Sequence, residues 1–135
     1  PKLLEERKRV FNTYTQAFEN CNWAIVPPSI EGDKESSYHI YALRIKDFTE
    51  EQRDRMIDEI AKSEVAVNVH FIPMPMLSFF NSLGYDIKDY PQAYENFKGE
   101  ISLPIYPQLD EEKLAFIIDT VKAAYRKVAG DKAVE

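Results

Sequence analysis

The sequence predicts one α/β domain whose small sheet, antiparallel or mixed, is covered by helices. Three observations carry this expectation. Apolar residues recur at helical spacing in three segments, branched and aromatic residues gather in three shorter runs, and proline, glycine and asparagine punctuate them. The resulting order is helix, strand, helix, strand, short helices, short strand, helix. It contains no repeat and no long linker, which suits one sheet packed under helices.

The first element is an amphipathic helix over residues 2–19, where Leu3, Leu4, Val10, Phe11, Tyr14 and Phe18 alternate with charge. Asn20, Asn22, Pro27 and Pro28 break it, and residues 30–37 read as a polar loop around Gly32. Residues 38–45 (YHIYALRI) read as a strand buried on both faces. Thr49 and Gln52 form a capping-box pair for a second helix ending near Ser63. Residues 65–71 (VAVNVHF) alternate as a strand with one partly polar face, stopped by Pro73 and Pro75. A short helix is expected over 76–83, closed by Gly84, and another over 91–97, started by Pro91. Ile101 to Leu103 make a short strand before Pro104. Asp110 then caps a last helix with Leu114, Ile117, Ile118, Val121 and Tyr125 as its core stripe. The sequence after Lys127 reads as a frayed tail, so the domain is set at 1–128 and the tail at 129–135.

Composition narrows the class. A chain of 135 residues is one domain in length, and 44% hydrophobic with 30% charged residues is a globular balance. No apolar run approaches the ~20 residues of a membrane span, and no signal-peptide pattern is present. The single Cys21 cannot close an internal disulfide, so a cytoplasmic setting is expected. A net charge of -6 argues against nucleic acid as a partner but leaves small anionic ligands open. The chain begins at Pro1 and enters helical sequence almost at once, which reads as a piece of a longer protein.

The search for chemistry is mostly negative. Cys21 has no histidine near it in sequence, and no nucleophile elbow, glycine-rich phosphate loop or HExxH occurs. His39 and His70 lack a third ligand at convincing spacing, so no metal set is assigned. A lysine suited to a Schiff base should lie in an apolar run. Lys62, Lys113, Lys122 and Lys127 instead sit in charged helices, and Lys34, Lys46, Lys88 and Lys98 border loops. No catalytic residue is therefore assigned. What stands out is Asn68 to Pro73 (NVHFIP), which places His70 at a strand end, where sites commonly form. A core histidine satisfied by a backbone carbonyl fits the same residues, and both readings stand. His39 reads as structural among Ile40, Tyr41 and Leu43, and Met74, Met76, Phe79 and Phe80 read as packing residues.

The order of these motifs resembles a known family. SSYHIYALRI (36–45), TEEQRDRMIDEI (49–60), VNVHFIP (67–73) and GYDIKDYPQAYENFKGEISLPIYPQLDEEKLAFII (84–118) are together similar to the C-terminal part of DegT/StrS-type sugar aminotransferases. ERKRVFNTY (6–14) is similar to the helix joining the large and small domains of that family. The resemblance implies the small domain of a fold type I enzyme that uses pyridoxal 5'-phosphate (PLP), usually a homodimer. Such an enzyme moves an amino group, from glutamate, onto a nucleotide-linked keto-sugar.

On this reading the cofactor lysine and phosphate contacts lie in a large domain outside this chain, and the chain alone is inactive. Residues 1–19 are the linking helix. His70 and Phe71 match the His-aromatic pair beside the sugar nucleotide, and His39 matches the histidine of the first small-domain strand. Pro75 stands where many members carry a second histidine, Glu64 where a glycine is common, and Tyr94 where a glutamate is common. The VHFIPMPMLSFF form is similar to a subgroup that makes surface or capsular polysaccharide sugars. Two alternatives remain beside this reading. One is a PLP-dependent sugar dehydratase or regulatory relative, and the other is an autonomous α/β binding module with no large exposed apolar face.

Overall fold

Helix α1, Lys2–Phe18, buries Val10, Phe11, Tyr14 and Phe18, the positions that share one face at a 3.6-residue period. The computed structural model describes residues 2–130. Leu3 and Leu4, expected on the apolar stripe, are exposed because they lie one to two turns before the face meets the core.

The sheet contains β1 (Ala24–Ile25), β4 (Tyr41–Ile45) and β5 (Glu100–Leu103), in the order β1-β4-β5. Both pairings are antiparallel, with Ala24 opposite Ile45 and Tyr41 opposite Leu103. This resolves the expected choice of antiparallel or mixed. A separate two-stranded hairpin joins β2 (Ile30–Glu31) to β3 (Lys34–Glu35), where the sequence suggested only a loop. Gly32, at φ 61°, makes its turn possible.

The strand expected over 38–45 begins only at Tyr41. Tyr38 takes a left-handed φ of 55°, which breaks extended pairing. Nor is the strand buried evenly on both faces. Tyr41, Leu43 and Ile45 are buried while Ala42 and Arg44 are half-buried, the signature of one core-facing side.

Helices α2 (Glu50–Ala61) and α5 (Glu111–Ala129) lie against one another, and α5 also contacts α1. Thr49 caps α2 as expected: its hydroxyl accepts from the Gln52 N–H at 3.2 Å, and the Gln52 side chain accepts from the Thr49 N–H at 2.9 Å. Asp110 caps α5 by accepting from the Lys113 N–H at 2.8 Å. The helix continues past Lys127 to Ala129 and ends at Gly130, so the expected tail starts too early; residues 131–135 lie outside the described residues.

Aromatic packing fixes α1 to the sheet. Phe11 meets the edges of Tyr38 and Tyr41 at centroid distances of 5.1 and 4.8 Å, geometries favoured by the ring quadrupoles. The buried Tyr14 hydroxyl donates to the Pro104 carbonyl at 2.8 Å, tying the helix to the end of β5.

Residues 65–71 depart most from expectation. They form no ladder and meet β5 through one antiparallel bridge, Asn68 with Ser102. Glu64, just before them, has φ 60°, the conformation for which a glycine is suited. Pro73 and Pro75 lie just beyond, so little length remains for regular pairing. The expected helix over 76–83 is split into a 3-10 turn, Met74–Met76, and α3, Ser78–Ser82. Helix α4, Pro91–Lys98, starts at its proline as expected. Met74 and Phe79 are exposed, at 57% and 65%, so their reading as packing residues is corrected within this chain.

Two substitutions test these constraints. A Cβ on Gly99 would stand 2.5 Å from the Ile45 carbonyl oxygen, where β4 and β5 meet. Gly99→Ala is expected to lower the unfolding free energy by about 1–3 kcal/mol in a urea titration. Glu64→Gly is expected to raise it by about 1 kcal/mol, since the left-handed residue loses its steric cost.

Candidate functional site

β5 positions the site because all four of its residues are buried. Ile101 and Leu103 join the hydrophobic core. Alternation turns Glu100 and Ser102 to the opposite face, where a buried carboxylate and hydroxyl require partners. The Ser102 hydroxyl donates to Glu100 Oε1 at 2.5 Å, and the His70 backbone N–H donates to Glu100 Oε2 at 3.0 Å. One bridge earlier, Asn68 and Ser102 exchange backbone bonds of 3.2 and 2.7 Å. Residues 68 and 70 are thus both held to β5, and the polypeptide turns away at Phe71.

This arrangement opens a cleft of about 420 Å³, within the size range of small-molecule sites. His39 and His70 both line it, with Asn68 and Ser102 as further polar groups and Phe71, Val67 and Ile105 among its apolar walls. The two histidines do not share a strand pair. His39 lies in the exposed turn before β4, whereas His70 lies beyond β5, and the cleft is what brings them together. His39 is therefore exposed, not enclosed among core residues as expected.

The ring of His70 meets that of Phe71 edge to face at 4.7 Å across a cis peptide bond. Phe71 is 73% exposed, and His70 Nδ1 is buried without a hydrogen-bond partner among the described residues. The reading of His70 as a histidine satisfied by a backbone carbonyl therefore fails at Nδ1.

Burial pushes the Glu100 carboxyl above its ordinary range. The Ser102 hydroxyl, the His70 N–H and the charges of His70 and Arg53 oppose that rise. Arg53, on α2, is itself buried; it donates to the Phe97 carbonyl at 2.8 Å and lies 4.8 Å from the Phe97 ring centroid. Glu100, Ser102 and Arg53 were not singled out by sequence reasoning. For the first two the available signal was the polar alternation within EISL; Arg53 looked like any arginine on a charged helix face.

PLP requires a lysine for its aldehyde and donors for its phosphate. No lysine or arginine lines the cleft. Lys8, Lys62, Lys98, Lys113 and Lys127 are engaged by carboxylates, and Lys122 lies over the Phe18 ring at 5.8 Å. The lining of this cleft does not fit PLP, and no step through the cofactor is assigned to it. Among the described residues, no three His, Cys, Asp or Glu side chains gather as a metal set, and no helix is long and apolar enough to cross a membrane.

Residues 1–122 match the DegT/DnrJ/EryC1/StrS aminotransferase family. A candidate sugar aminotransferase from Streptococcus pneumoniae, solved in PMP, PLP and apo forms, is similar in structure. Its PMP form superposes with a TM-score of 0.90 at 36% identity, over 95% of this chain and 32% of that one. A UDP-4-amino-4,6-dideoxy-N-acetyl-beta-L-altrosamine transaminase from Campylobacter jejuni is 29% identical, over 93% of this chain and 33% of its own length. An uncharacterised Methanocaldococcus jannaschii protein is 31% identical, over 89% and 31% respectively. The chain spans about a third of the length of the curated relatives it matches. Its α/β architecture is that of the small domain of PLP aminotransferases. The chain belongs to the DegT/DnrJ/EryC1/StrS aminotransferase family.

Proposed function

We propose that this chain forms the substrate-side wall of a PLP-dependent aminotransferase that aminates a nucleotide-linked keto-sugar. The observation carrying the proposal is the cleft shared by His70, Phe71 and His39. It offers an aromatic face for a sugar ring and polar atoms for its hydroxyls, without a group capable of holding the cofactor. The UDP-sugar transaminase relative supports a nucleotide-sugar substrate. In this reading, glutamate is the amino donor, the product feeds a surface polysaccharide, and PLP is bound by a larger domain that completes the site.

The surface favours this reading over an autonomous binding module. Phe71, Ile72, Met74, Phe79 and Leu83 are each at least half exposed within one short stretch. An apolar face of that kind is expected to meet further protein. In the proposed enzyme that protein is the large domain or the second subunit of a homodimer.

His70 binds and orients the sugar nucleotide here, and no proton-transfer role is assigned to it. In an enzyme carrying this chain, His70→Ala is expected to lower kcat/KM for the keto-sugar nucleotide about tenfold or more, the cost of one lost polar contact. The PLP absorption spectrum should be unchanged. Unaltered kcat/KM would remove His70 from the substrate wall.

A further inference from the structure

We propose that Glu100 is a positioning residue for His70, so that the geometry of the His70-Phe71 wall follows the charge of one buried carboxyl. The proposal rests on the placement of His70 in the substrate wall. Glu100 is 5% exposed, yet it spends one carboxylate oxygen on a backbone N–H of a segment that forms no regular strand. The other oxygen is held by Ser102, which fixes the carboxyl's orientation. The segment consequently has two attachments to β5, the Asn68–Ser102 bridge and the Glu100 carboxyl under His70. Without the second, residues 69–71, which carry both rings that face the cleft, would keep only the Asn68–Ser102 bridge as their hydrogen-bonded tie to β5 among the described residues.

The titratable and charged groups around the carboxyl are His70, from the segment, Arg53, from α2, and Arg44, the residue opposite Glu100 on β4, whose guanidinium donates to the Asn96 side chain. A charged carboxylate grips an N–H more strongly than a neutral acid does. The grip on His70 therefore tightens as pH rises through the titration of Glu100, which burial places above the ordinary carboxylate range. Arg53 holds the other side of the same region through Phe97, so the carboxyl acts within a fixed frame.

The test is an NMR pH titration of the 135-residue chain, comparing the original sequence with Glu100→Gln and Glu100→Ala. In the original, the His70 amide should shift with the same midpoint as the Glu100 side-chain carboxyl carbon, separately from any step due to the imidazole. Glu100→Gln keeps a neutral acceptor, so the amide should remain protected while the Glu100-linked step disappears. Glu100→Ala should speed His70 amide exchange about tenfold or more, matching the loss of a hydrogen bond to a charged acceptor. If Glu100→Ala fails to fold, the comparison with Glu100→Gln still decides. A His70 amide without a Glu100-linked step, or one that keeps the step in Glu100→Gln, overturns the proposal.

Turnover separates this proposal from the functional reading. If the His70 amide follows Glu100 while His70→Ala leaves turnover unchanged, the positioning stands and the substrate role falls. If His70→Ala lowers turnover while the amide ignores Glu100, the substrate role stands and the positioning falls.

Discussion

The burial of β5 on both faces is the constraint on which the rest depends. A strand whose every residue is enclosed cannot leave Glu100 and Ser102 without partners. One solution would be to make the second face apolar, like that of Ile101 and Leu103. This chain instead satisfies the two polar groups mainly through each other and through the backbone of residues 68–70. The polar face thus captures an otherwise irregular segment, and that capture brings His70 and Phe71 to the cleft.

The two sides of the sheet divide the work. On the core side, Phe11, Tyr14, Tyr41, Leu43 and Ile101 belong to one buried cluster, with α2 and α5 closing over it. The Tyr14 hydroxyl bond to Pro104 crosses from this cluster to the end of β5, close to the cleft that Pro104 also lines. Burial pushes the Tyr41 hydroxyl up to about 12, and its contact with Thr15 at 3.1 Å keeps that buried group satisfied. Beyond the cleft, residues 72–83 are broken by prolines and rich in exposed aromatic and aliphatic residues. The core stabilises the domain; this stretch presents a surface.

Much of the helical framework could be read from the sequence because its signals are local. The Thr49–Gln52 capping box, the Asp110 cap and the proline start of α4 each depend on residues within one turn of each other. Strand limits were harder to read. YHIYALRI has a uniform strand composition, but the left-handed backbone at Tyr38 is imposed from outside it, where the Tyr38 ring is buried against Phe11. VAVNVHF alternates correctly and still forms only one bridge, because the residues on either side of it leave the sheet. Of the site, the motif containing His70 and Phe71 was visible, whereas the role of Glu100 depends on a contact spanning 30 residues that no local pattern encodes. His39 was visible as a residue but misplaced, since its exposure follows from the late start of β4.

The account proposed for this chain is that residues 68–71, held by β5, face a sugar nucleotide. The most direct test is a crystal structure of an enzyme carrying this chain with PMP and a UDP-linked keto-sugar bound. The account expects the His70 imidazole within hydrogen-bonding distance of the sugar nucleotide and the Phe71 ring packed against it. A bound sugar nucleotide that makes no contact with residues 68–71 would contradict it.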